Sequence, residues 1–286
     1  MPIWAIHLTC VALVATDQLA RALRIWILDR ALGHPIRLRQ ALAANLIGDA
    51  ACAVTPMRLG GEPTRLATFL HAGVPATASF LAIAFEVITM WPMVILTAVV
   101  LALRFAPGWI ETTAPALLEG LGRTWSWLLA AVLVSFILWL LVRRRVKLTP
   151  RLTRRPWRRV RVYWRRMRVT TLAASAFLGF LNVASRTAIL PVLMLALPEP
   201  PPLGPALLGS FALLYSQLAL PTPSGMGIVD LGLLAGAAGA TGEGGVTLLV
   251  WWRFYTSLLG VGLGAWAAVR VFGWEVVKGA LRGKSR

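Results

Sequence analysis

Long, nearly unbroken apolar runs dominate the chain, rather than the short alternating patterns of exposed strands or the half-apolar stripes of surface helices. Residues 3–20, 74–103, 124–142, 170–197 and 246–272 each form such a run. A helix needs about 20 mostly apolar residues to cross the hydrocarbon core of a bilayer, so each predicts a membrane span. Two further apolar stretches, 40–70 and 203–239, are broken near their middles by Thr55-Pro56-Met57-Arg58-Leu59-Gly60-Gly61-Glu62-Pro63 and by Pro221-Thr222-Pro223-Ser224-Gly225-Met226-Gly227. Proline lacks a backbone donor and glycine favours open turns, so neither stretch predicts one straight helix. The first run lacks a charged leader and a small-residue cleavage site, and reads as a retained span.

Lys/Arg bias orients these elements. Residues 143–168 hold 13 Lys/Arg and no acid, which places that segment, and the tail with Lys278, Arg282, Lys284 and Arg286, on the cytoplasmic side. The 21–39 stretch, expected as a connecting loop, agrees, with Arg21, Arg24, Arg30, Arg37 and Arg39 against Asp29. The connections 105–123, 198–202 and 240–245 carry Glu111, Glu119, Glu199 and Glu243 with Arg123 alone opposing them, and belong outside. The stretch 40–70 must then enter and return on the cytoplasmic side, and 203–239 must do so from outside. Both read as re-entrant helical hairpins, with two very short spans per stretch as the geometrically poorer alternative. The expected architecture is an all-α polytopic membrane protein, one integral membrane domain over 1–286. Within it, 3–103 forms a span–hairpin–span unit, 124–142 a connector span, and 170–272 the same unit inverted. Inverted repeats with interrupted helices are a transporter architecture.

Composition agrees. Of 286 residues, 58% are apolar and 14% charged, which excludes both a soluble globular enzyme and a disordered chain. The net charge of +18 would suggest nucleic acid in a soluble protein. Beside membrane spans it reads instead as a topology signal and an anionic-lipid contact, and no nucleic-acid partner is expected. Trp157, Val160, Trp164 and Met167 fall on one helical face of the basic segment, as in an interfacial amphipathic helix, with a solvated basic loop as the alternative. The cysteines Cys10 and Cys52 and the histidines His7, His34 and His71 are scattered, giving no disulfide framework or metal site, and no cofactor is expected.

Ionisable residues at membrane depth are costly and usually face a bundle interior or a wet cavity. Asp17, Asp49, Arg58, Glu62, Arg65, Glu86, Asp230 and Arg253 fall at such depth. Glu62 follows the Gly60-Gly61 break directly and Arg65 lies one helical turn on. A broken hairpin exposes a helix N-terminus that favours an anion, and Arg58 and Arg65 flank it. Asp230 follows Pro223, Gly225 and Gly227 much as Glu62 follows Pro56. Glu86 and Arg253 lie in the spans after each hairpin and are expected to pair across the repeat interface. A structural reading competes throughout: buried salt bridges fixing the hairpins, with glycines serving only close packing. Asp17 and Arg21, one i,i+4 step apart, are adequately explained as a local pair, and Asn182 and Arg186 repeat that spacing. No nucleotide loop, HExxH or GxSxG motif occurs.

The stretch Asn45-Leu46-Ile47-Gly48-Asp49-Ala50-Ala51 with Thr55-Pro56-Met57-Arg58-Leu59-Gly60-Gly61-Glu62-Pro63-Thr64-Arg65 resembles the signature of the lysylphosphatidylglycerol synthase transmembrane-domain (flippase-like) family. Pro221 to Asp230 resembles that family's second Pro/Gly element, and Arg24-Ile25-Trp26 and Trp252-Arg253-Phe254-Tyr255 also fit. The family's second element usually reads Gly-Gly and ends in Glu; Ser224 and Asp230 stand in those places here. The resemblance implies the translocating module without the soluble aminoacyl-transferase domain fused to it in some members. It implies a multi-pass protein of the bacterial inner membrane that moves an anionic phospholipid, or a polyprenyl-linked or hopanoid lipid, between leaflets. Arg58, Arg65 and Arg253 would hold the headgroup, while Glu62, Glu86 and Asp230 balance charge or relay protons. The alternatives are a membrane-embedded lipid transferase and a non-catalytic subunit that docks a lipid-synthesising enzyme; association into oligomers is compatible with each.

Overall fold

A computed structural model describes residues 2–56, 58–106, 160–218, 220, 222–241 and 244–274. All regular structure among them is helical: α1 (Ile3–Ala31), α2 (Leu38–Val54), α3 (Gly61–His71), α4 (Ala76–Phe105), α5 (Val169–Met194), α6 (Leu203–Ser216), α7 (Ile228–Thr241), α8 (Gly244–Arg253) and α9 (Leu259–Phe272). A π-helical turn, Phe254–Leu258, joins α8 to α9. Four of the described helices are long and apolar enough to cross a membrane: α1, α4, α5 and the continuous Gly244–Phe272. The chain is an all-α polytopic membrane protein. The connector span 124–142, the basic run 143–159, the connection 107–123 and the tail beyond 274 lie outside the described residues.

The first helix departs from the sequence reading. The apolar run ends at residue 20, but α1 continues to Ala31, carrying Arg21 and Arg24 inside the bundle rather than in a connecting loop. Arg24 is 1% exposed. The continuation is possible because acids on other helices meet these charges, an arrangement that hydropathy along a single segment does not register. At about 1.5 Å per residue α1 reaches about 43 Å, longer than the ~30 Å hydrocarbon core.

α1 and α5 pack along one another, with α4 against α5 and α2 against α9. Gly264 makes the last contact possible, because a Cβ there would lie 2.2 Å from the Leu46 carbonyl oxygen. The two broken stretches each form a helix–break–helix pair. Ile36, just before α2, and Val74, just after α3, share one apolar cluster with Ile25 and Phe69, so the first pair begins and ends at the same end of the bundle. At the opposite end, Gly204 at the start of α6 abuts Phe105 at the end of α4. Gly244, which follows α7, contacts Leu197 beyond α5 at that same end. The breaks meet between these ends through an antiparallel backbone bridge, Pro56 to Pro223. The Ser224 hydroxyl also donates to the Ala53 carbonyl at 3.2 Å.

A short helix over 160–166 lies at the first end. Val160, Tyr163 and Met167 pack on Leu28, Leu32, Leu81 and Phe85. Tyr163 thus joins the inward face together with Val160 and Met167, whereas Trp164, expected to share it, is 59% exposed with its ring 5.2 Å from that of Phe85. Trp157 lies outside the described residues.

Candidate functional site

The polar interior is built outward from α1. Asp17, Gln18, Arg21 and Arg24 project from nearly two turns of that helix toward α2, α4 and α5. Arg21 clamps Asp49 of α2 with a two-pronged fork, at 2.6 Å and 2.5 Å. Gln18 bridges α1 and α2, donating to Asp49 at 3.1 Å and accepting from Asn45 at 2.5 Å. Asp17 accepts from Asn182 of α5 and lies 3.8 Å from Arg21. Arg24 and Arg65 both donate to Glu86, which α4 holds between α1 and α3. Arg65 also lies 3.3 Å from Glu62, whose side chain is 51% exposed. Arg21, Arg24, Arg65, Asp49 and Glu86 therefore each have an ion partner on another helix, the condition under which such charges persist in a low-dielectric interior.

These residues surround a cavity of ≈ 260 Å³. Five arginines (Arg21, Arg24, Arg58, Arg65 and Arg186) and three carboxylates (Asp49, Glu62 and Glu86) line it, beside an apolar wall including Met90, Trp91, Val94 and Leu218. Ion pairing accounts for Arg21, Arg24 and Arg65. It does not account for the other two. Arg58 makes one long contact, 3.4 Å, to the Gln217 amide oxygen. Arg186 donates to the Thr256 carbonyl at 3.1 Å, in the π-helical turn. Arg58 and Arg186, with Asp49, also line a second, narrower cavity that reaches Asp17, Tyr255, Thr256 and Gly260. Among the described residues, no three His, Cys, Asp or Glu side chains converge as metal ligands would.

Local backbone geometry places Arg58. Its φ of +58° lies in the left-handed region, which costs a side-chain-bearing residue about 1–2 kcal/mol. Gly60 and Gly61 do not line the cavity; they let the break fold tightly onto α2. A Cβ at Gly61 would lie 2.2 Å from Cys52 Sγ, and one at Gly60 2.6 Å from Thr55 Cγ2. Gly48, named in the sequence only as part of a motif, performs the same service for Arg65, whose stem passes 2.5 Å from where a Cβ would be.

The second break forms a separate cluster. Arg253 donates to Asp230 at 2.6 Å and to the Ser224 carbonyl at 3.0 Å. Asp230 also accepts from the Gly227 amide at 2.9 Å, at the start of α7. Ser224, Gly225 and Gly227 all have positive φ. The expected Glu86–Arg253 pair does not form: Glu86 is taken by Arg24 and Arg65, and Arg253 by Asp230. Their matching positions after the two breaks do not bring them together, because α4 and α8 lie in different parts of the bundle and a nearer ion partner claims each. Of the candidate residues, Arg58, Glu62, Arg65 and Glu86 line the cavity, while Pro223, Gly225, Gly227, Asp230 and Arg253 do not.

A match to the model of the lysylphosphatidylglycerol synthase TM region runs over residues 2–264 of the 286, across both breaks. The chain belongs to this family. No curated protein and no solved structure is significantly similar to it. Membership of the lysylphosphatidylglycerol synthase TM region family gives the chain a membrane-lipid-related function, and Asp49, Arg58, Glu62 and Arg65 around the first break are among the residues that line the cavity. The family motif did not single out Gln18, Gln217, Arg21 or Arg186. Nor did it single out Asp29, a fully buried carboxylate of α1 whose oxygens find no hydrogen-bond partner among the described residues. Polar residues spaced along 17, 18, 21 and 24 of an otherwise apolar run were the available signal for the α1 part of this set.

Proposed function

We propose that this protein is a lipid translocase that passes an anionic headgroup between leaflets through the cavity beside the first break. The observation that carries the reading is the excess of arginine over carboxylate in that cavity, five against three, beside an apolar wall. A charged headgroup entering at membrane depth needs fixed countercharge, while its acyl chains stay against apolar surface. Among the described residues, Arg58 is the arginine of the first break without a carboxylate partner, and it takes the headgroup. Arg65 and Arg253, engaged by Glu86 and Asp230, shape the site. Both broken helix pairs are read as re-entrant hairpins in inverted units, meeting at Pro56 and Pro223. The end bearing Arg37, Arg39, Arg161, Arg165 and Arg168 is assigned to the cytoplasm of a bacterial inner membrane by its positive charge.

The test is leaflet exchange of fluorescent anionic phospholipids in proteoliposomes, with Arg58→Ala and Glu62→Gln beside the parent. Faster exchange with the parent, lost in Arg58→Ala, is the expected result. Absence of exchange with anionic and polyprenyl lipids alike moves the reading to a docking or enzymatic role. Exchange that survives both substitutions keeps translocation and removes the first break as its site.

A further inference from the structure

We infer that Arg58 and Arg186 together form one binding site for a phosphoryl group, at the boundary between the two cavities. The inference deepens the translocase reading and rests on it. Both arginines line the wide cavity and the narrow one, and so does Asp49. They come from unconnected elements, the first break and the middle of α5, so nothing in local structure requires two like charges to converge there. Among the described residues each is only lightly engaged, Arg58 by one amide oxygen and Arg186 by one backbone carbonyl. Asp49, the carboxylate they share, already has both oxygens filled by Arg21 and also accepts from Gln18. Asp17 lines the narrow cavity behind them, with Asn182 and Arg21 as its partners.

The structure itself shows why two forks call for a tetrahedral ligand. One arginine suffices to fill both oxygens of a planar carboxylate, as Arg21 does for Asp49. A carboxylate between two arginines, as Glu86 is between Arg24 and Arg65, takes one donor from each and leaves Arg24 Nε and Nη1 and Arg65 Nε without a partner among the described residues. A phosphoryl group presents its oxygens off one plane and can accept from both, and planar forks recognise it better than an ammonium does. Its chemistry is common to a phospholipid headgroup and to free phosphate. The apolar wall of Met90, Trp91 and Val94 beside the pair favours the lipid. Arg186 also ties the site to the π-helical turn through Thr256, so a ligand that draws Arg186 away frees a carbonyl of that turn. Turns of this kind recur at functional sites in long helices.

The experiment is equilibrium binding to purified, detergent-solubilised protein of four probes: phosphatidic acid, phosphatidylglycerol, a fatty acid of matched chain and uncharged diacylglycerol. Inorganic phosphate is added as competitor. Arg58→Lys and Arg186→Lys keep the charge and remove the fork, and Arg270→Lys, remote from the cavity, serves as control. Each of the first two variants is expected to weaken the phosphate-headed lipids roughly tenfold to a hundredfold, the worth of a charge-assisted hydrogen bond, with fatty acid and diacylglycerol unchanged. Competition by inorganic phosphate supports the same site. Binding of phosphate without either phospholipid keeps the arginine pair and overturns the lipid as its source. Undiminished phospholipid binding by Arg186→Lys, with melting temperature unchanged, overturns the paired site. Leaflet exchange lost in Arg58→Lys but kept in Arg186→Lys has the same consequence and leaves the translocase reading standing.

Discussion

Glu86 holds two arginines at once, Arg24 from α1 and Arg65 from α3, with all three side chains buried. Removing its charge leaves two guanidinium groups in the interior with no carboxylate between them. Glu86→Gln is therefore expected to cost about 3–5 kcal/mol, the usual effect of breaking a buried pair from one side. Thermal unfolding in detergent micelles measures it. Arg253→Gln, at the second break, should cost clearly less, because the Asp230 side chain it releases is already 25% exposed. Equal losses at the two sites would contradict this ordering. Arg58 has the opposite character, since its backbone is strained for an arginine. Arg58→Gly should melt above Arg58→Ala by roughly 1 kcal/mol, because glycine adopts a φ of +58° freely. Both variants should lose lipid exchange. Strain at a residue that also carries a lightly engaged charge is the kind of local cost expected where a ligand is handled.

At the scale of the helices, close approach is set by a few glycines whose neighbours are backbone or packed side chains. Gly264 lets α9 lie against α2, with the Leu46 carbonyl where a methyl would go. Gly264→Ala should push the two helices apart and destabilise the fold by about 1–3 kcal/mol, as overpacking does. Gly262, two residues earlier, has open space on its Cβ side. Gly262→Ala should leave the melting temperature unchanged or raise it slightly, since alanine is the better helix former. The pair of variants separates packing from propensity within one turn of one helix. The π-helical turn Phe254–Leu258 adds a local widening between α8 and α9 and presents Thr256 to Arg186. Neither feature has a marker in hydropathy, because a glycine against a helix and a glycine against open space read alike in sequence.

Across the described residues, most basic residues outside the bundle interior gather at one end, with Arg104 at the other. Arg37 and Arg39 at the start of α2 share that end with Arg161, Arg165 and Arg168, and the His71 ring lies edge-on to Phe272 at the end of α9. Glu199 lies between α5 and α6, toward the opposite end. In a background with Cys10 and Cys52 replaced by alanine, Glu199→Cys should react with a membrane-impermeant thiol reagent added to intact cells. Arg37→Cys should react only after permeabilisation. Reactivity of both from the same side would remove the opposed-end reading of the two broken pairs, whatever the lipid assay returns.

What the linear sequence determines here is what short-range pattern can encode. Twenty-residue apolar runs require helices in a bilayer, Pro/Gly clusters require breaks near 55–61 and 221–227, and carboxylates just after those breaks fall in the first turns of α3 and α7. The candidate set was legible to the same extent: Arg58, Glu62, Arg65 and Glu86 stood out as charges in apolar surroundings. Which charges neutralise one another was decided only by tertiary structure. Glu86 and Arg253 occupy matching positions along the chain, yet Coulomb attraction in a low-dielectric interior falls to whichever partner the packing brings within a few ångströms. Packing gave Glu86 to Arg24 and Arg65, drew Arg21 and Arg24 out of an expected loop into a buried helix, and left Arg58 beside Arg186. Pairing between helices depends on contacts distant in sequence, and no spacing along one helix records it.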